Sequence, residues 1–107
     1  MTDHTDDTAH EGAHALEAAE RLLERAERDS TAAQPAAVEA LKALLLHWDE
    51  VPCGERVAEL LAQVAETDDT LKQFSSDAEA LDRGNAADSH QRAKIFVDAA
   101  RARLMNI

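Results

Sequence analysis

Apolar residues in this chain recur at steps of three and four, segment after segment, and that period restricts its fold more than any other feature. In an α-helix such steps return to one face, whereas a strand needs alternation at every second residue. Leu16, Ala19, Leu22, Leu23 and Ala26 form one such stripe, and Val38, Leu41, Leu45 and Trp48 form a second. Val57, Leu60, Leu61 and Val64 make a third, while Leu71, Phe74, Ala78 and Leu81 make a fourth. A fifth joins Ala93, Phe96, Val97, Ala100 and Leu104. The residue types agree with the spacing: Ala, Leu, Glu, Arg and Gln favour helices, and strand formers are scarce, with two Phe, one Trp and no Tyr. The sequence therefore predicts an all-α fold, a small bundle of four to five helices arranged as antiparallel hairpins.

The breaks between stripes set the expected boundaries, giving helices over about 12–28, 35–49, 55–66, 69–81 and 89–105. Pro35 is tolerated only in the first turn of a helix, and Ser30 and Thr31 are cap candidates, Thr31-x-x-Gln34 having capping-box spacing. Pro52 and Gly54 force a turn, Gly84 or Asn85 can take the left-handed conformation that ends a helix, and Asp88 or Ser89 can cap the last one. Ser75 and Ser76 weaken the middle of the fourth. Leu44 and Leu46 widen the seam of the second helix, which is expected at the centre of the fold. Residues 1–11 carry no comparable stripe and read as a flexible acidic tail, leaving 12–107 as a single α-helical domain. "ERLLERAERD" and "ELLAQVAETD" agree at five of ten positions, but the register is lost in the segments that follow, so no repeat architecture is inferred.

The net charge of −11 opposes binding to nucleic acid or an anionic membrane surface. It is unevenly spread: residues 1–88 hold seven Lys/Arg against twenty-one Asp/Glu, and residues 89–107 hold four against one. A basic last helix, with Arg92, Lys94, Arg101 and Arg103, docks most simply on the acidic body, or else is offered to a partner. Cys53 is the only cysteine, so no internal disulfide forms. No leader-like segment or apolar run of about 20 residues is present, and a cytoplasmic location is expected.

One motif points to chemistry. His10-Glu11-Gly12-Ala13-His14 has the H-E-x-x-H spacing that sets two imidazoles on one Zn²⁺ with a carboxylate as general base. No third ligand follows in a fixed pattern, Gly12 interrupts the helix, and no strand is predicted to brace it. A chance match is the better reading, with His10, His14 and Glu17 as weak metal candidates and no cofactor expected. Glu11-x-x-His14 is also half of a di-iron carboxylate pattern, whose second E-x-x-H is missing. Cys53 beside a helix start, with His47 nearby, has the residue types of a thiol–imidazole pair but lacks an orienting third group. The stretch from Ala13 to Ala18 resembles the phosphoacceptor helix of histidine phosphotransfer domains. Glu17 and Ala18 stand where that family keeps a Lys and a small residue near its histidine, so phosphotransfer is not carried over.

The expectation is a non-enzymatic protein–protein interaction module: an adaptor, a chaperone or a small regulatory subunit. It would bind a protein partner, or itself as a dimer, through an apolar helical face. Leu44, Leu46 and Trp48, with Arg92, Arg101 and Arg103, are the candidate contact residues. Two alternatives are an acidic nucleic-acid mimic that inhibits a basic protein, and a zinc-dependent hydrolase through His10-Glu11-x-x-His14.

Overall fold

A computed structural model describes the backbone of residues 4–84 and 88–105 and the side chains of 12–84 and 88–104. Five α-helices follow in order: α1 (His4–Ala26), α2 (Ala33–His47), α3 (Val57–Thr67), α4 (Ser75–Arg83) and α5 (Ser89–Met105). Two 3₁₀ segments, Ser30–Ala32 and Asp69–Phe74, lead into α2 and α4, and there is no strand among the described residues. The fold is a small all-α bundle, as the periodicity predicts.

The second helix is central, touching all four others, with its longest contact along α1. Its composition explains the closeness of that pair. Ala33, Ala36, Ala37, Ala40 and Ala43 are wholly buried, and helices whose facing side chains are small approach nearer than those separated by leucines. Gly12 marks a close approach. A Cβ there would lie 3.2 Å from the Ala43 carbonyl oxygen and 3.4 Å from the His47 nitrogen. The start of the α1 contact thus meets the end of α2, so the two run antiparallel. The glycine that interrupts H-E-x-x-H is there for helix packing.

Three boundaries differ from expectation. First, α1 begins at His4, about two turns before residue 12. Asp6 and Asp7 fall in its first turns, where carboxylates favour the positive end of the helix dipole. The expected tail is therefore helical in backbone over 4–11, and residues 1–3 lie outside the described residues. Second, neither Ser30 nor Thr31 caps α2. Asp29 instead accepts from the Thr31 backbone N–H at 3.1 Å and its hydroxyl at 2.6 Å, closing the 3₁₀ turn ahead of the helix. Gln34 turns away from its predicted box and donates to Asp82 Oδ1 at 3.2 Å. Third, the fourth segment is 3₁₀ up to Phe74 and α-helical from Ser75, changing where Ser75-Ser76 weakens it. The Ser75 hydroxyl bonds back to the Lys72 carbonyl at 2.7 Å, the competing local bond expected of serine.

Elsewhere the signals hold. Gly84 ends α4 with φ 77°, and the last helix spans Ser89–Met105 as its caps and stripe predict. The core is closed by α5: Ala93, Phe96, Val97 and Ala100 are fully buried, and Phe96 meets Phe74 edge-on at a centroid distance of 6.0 Å.

Candidate interaction surface

The arginines of the predicted basic last helix are tied into the bundle. Arg92 donates to Asp77 in α4 at 2.7 Å and to Asp88 at 2.9 Å. Arg101 sends Nε and Nη2 to Glu20 of α1 at 2.8 and 2.6 Å. Arg103 reaches Asp68, ahead of the second 3₁₀ segment, at 2.7 Å and the Ala99 carbonyl at 3.1 Å. Lys94 pairs with Asp98 at 2.8 Å. Titration follows the geometry. The Thr70 hydroxyl, then Arg103, hold the Asp68 carboxyl below its ordinary range. The Arg92 hydrogen bond does the same for Asp88, and in return Asp88 raises the Arg92 guanidinium. Arg92, Arg101 and Arg103 thus bond acids outside their own helix, whereas Lys94 pairs within α5.

The apolar candidates on α2 are also largely inside. Leu44 is wholly buried, and Leu46 and Trp48 are half-buried against the core. A partner cannot touch Leu44 without opening the bundle. Among the described residues Val51 is the one large apolar side chain in full exposure, 78%, and its loop is fixed through the backbone. Gln63 of α3 donates to the Val51 carbonyl at 2.9 Å and accepts from the Cys53 N–H at 2.9 Å. The exposed Cys53 thiol turns back on the same carbonyl at 3.3 Å. His47 is exposed at the end of α2.

In the first helix, His14 is exposed and Glu17 faces Arg21 at 3.8 Å. His10 and Glu11 are helical in backbone, and their side chains lie outside the described residues. At 3.6 residues per turn, position 14 falls about 160° round the helix from position 12, on the face away from the α2 contact and from His47. Among the described residues no three His, Cys, Asp or Glu side chains gather into a set that could hold a metal ion. No described helix is long and apolar enough to cross a membrane.

What sequence reasoning missed lies between α3 and α4. Ala58, Leu61, Ala62, Ala65 and Ala78 line an open groove of ≈ 350 Å³, with Lys72, Ser75 and Glu79 at its rim. Its walls are short, so the α3 and α4 backbones sit near the surface. The pair is joined at one end by Asp82. This α4 carboxylate accepts from the Val57 N–H and the Ala58 N–H, each at 2.9 Å, and from Gln34 of α2. It satisfies the two leading amides of α3, while Glu59 Oε1 accepts from the preceding Arg56 N–H at 3.3 Å. The alanine stripe of α3 was a readable signal, but which of its faces stays uncovered is a tertiary property.

No protein-family model, curated protein or solved structure matches the chain.

Proposed function

We propose that this protein is a protein-binding module that receives an amphipathic helix of a partner in the α3–α4 groove. The observation that carries the reading is the groove itself: small apolar walls with one cation and one anion on the rim. Grooves of that kind take a helix's apolar face while rim charges set its direction. The reading keeps the expected class of function, an adaptor, chaperone or regulatory subunit, and moves its contact surface from α2 to α3 and α4. Ala62 is the exposed wall residue, and an arginine there fills the groove without touching the core.

The test is affinity purification of the tagged chain from its native cell, with Ala62→Arg beside Ala13→Arg, an exposed position on α1, as control. The expected result is a partner retained by the native chain and by Ala13→Arg and lost with Ala62→Arg. A partner that binds Ala62→Arg undiminished excludes the groove.

A further inference from the structure

The two ends of the α3–α4 groove carry opposite charges that the bundle does not use. Val57 and Ala58, at the start of α3, bond to Asp82 near the end of α4, so the two helices run antiparallel. Lys72, just ahead of α4, is therefore level with the end of α3, and Glu79 lies towards its start. Both residues are exposed at the rim. Among the described residues neither side chain takes part in an ion pair or a hydrogen bond. The other acids of α4 are committed inside the molecule: Asp77 to Arg92 at 2.7 Å, and Asp82 to three donors.

The distance between the two charges suits a helix. From Lys72 to Glu79 the chain rises about 6 Å as 3₁₀ helix and about 6 Å as α-helix. A helix lying in the groove covers that length in about eight residues, and positions seven or eight apart share one of its faces. Between the charges the walls are short. Ala58, Ala62, Ala65 and Ala78 leave the bulk to whatever docks, so its inward positions must be large and apolar.

We propose that the groove selects a partner helix carrying one acid and one base seven or eight residues apart on its docking face. The acid lies against Lys72, the base against Glu79, and large apolar side chains fill the space between. This rests on the groove being a helix site and adds which helix it accepts. A helix with acids at both positions, or bases at both, meets a like charge at one end. Because the rim pairs are solvent-exposed, they choose among helices more than they hold them, and salt weakens the choice.

The test uses three fluorophore-labelled peptides of about 18 residues, long enough to form helix, with one leucine face in common. Their rim positions, seven apart, are Glu and Lys, Glu and Glu, or Lys and Lys. Fluorescence anisotropy with the full chain at low salt is expected to rank the Glu/Lys peptide first by about fivefold. High salt levels the ranking. Lys72→Glu moves first place to the Lys/Lys peptide and Glu79→Lys moves it to Glu/Glu, while circular dichroism shows the helices retained. Since the same peptides are compared across proteins, their own helicity cancels. A ranking that ignores the two substitutions overturns the proposal. Peptides bound equally by the native chain, yet lost with Ala62→Arg, also overturn it but leave the groove as a helix site. Peptides that do not bind, or that bind Ala62→Arg undiminished, overturn both.

Discussion

Three arginines lie along α5 and three more along the end of α1 and the turn behind it, and the fold treats the two sets in opposite ways. Arg92, Arg101 and Arg103 each find a carboxylate from another part of the chain at 2.6–2.7 Å. Arg21, Arg25 and Arg28 face outward, and the nearest ion pair among them is 3.8 Å and exposed. The residue types are identical, but 21, 25 and 28 step by four and three along one side, whereas 92, 101 and 103 step by nine and two and point to different sides of α5. The difference comes from position: α5 lies between Glu20 of α1, Asp77 of α4 and Asp68 ahead of the second 3₁₀ segment, whereas among the described residues no ion pair joins the α1 row to another helix. A cation's availability to a partner is therefore decided by which elements flank it, and a local charge count misses this.

The strongest way to break the contrast is to undock α5. Phe96 is fully buried, so Phe96→Ala is expected to cost about 3–5 kcal/mol in denaturant unfolding and to loosen all three of that helix's arginine pairs together. A cost below about 1 kcal/mol would mean that the ion pairs, and not the core, hold α5. Next in size, Arg103→Ala leaves Asp68 without its cation in a half-buried setting and is expected to cost about 1–2 kcal/mol.

Acid titration sharpens the same point. The native pKa values of Asp68 and Asp88 are lowered, so their stabilisation is present above the unfolded carboxylate value of about 4 and is lost as pH falls through the native values. Asp68→Asn should flatten the acid limb of stability against pH, and an unchanged limb would disprove the coupling. The smallest effect is expected from Arg25→Ala, within about 0.5 kcal/mol of the native chain. A cost equal to that of Arg103→Ala would erase the distinction between the two rows.

Much of the architecture was readable from local signals. The 3.6-residue period located every helix, and the stop at Gly84 and the start at Ser89 need only neighbouring residues, so α5 fell where expected. The opening of α1 was misjudged because absence of an apolar stripe was taken as absence of helix, although Asp6 and Asp7 favour a helix start. Asp29, Gln34 and Asp82 could not be assigned from sequence. Each is a polar residue with several plausible local bonds, and the partner it takes is chosen by how α2, α3 and α4 meet. The same holds for Leu44, whose apolar neighbours signalled width but not which side would be covered. The α3–α4 groove is the space those helices fail to fill, which no single-segment pattern encodes.

The reach of Asp82 across to α3 carries a consequence for how the molecule opens. The leading amides of α3 are protected by a side chain whose place depends on α4, so the two segments form one cooperative unit that exchanges hydrogen with water together. Val57 and Ala58 should exchange as slowly as α4 detaches, however often the preceding loop moves. Since Gln34 grips the same carboxylate, prying α3 from α4 also loosens the first turn of α2, and a disturbance at the outer hairpin is transmitted directly to the central helix.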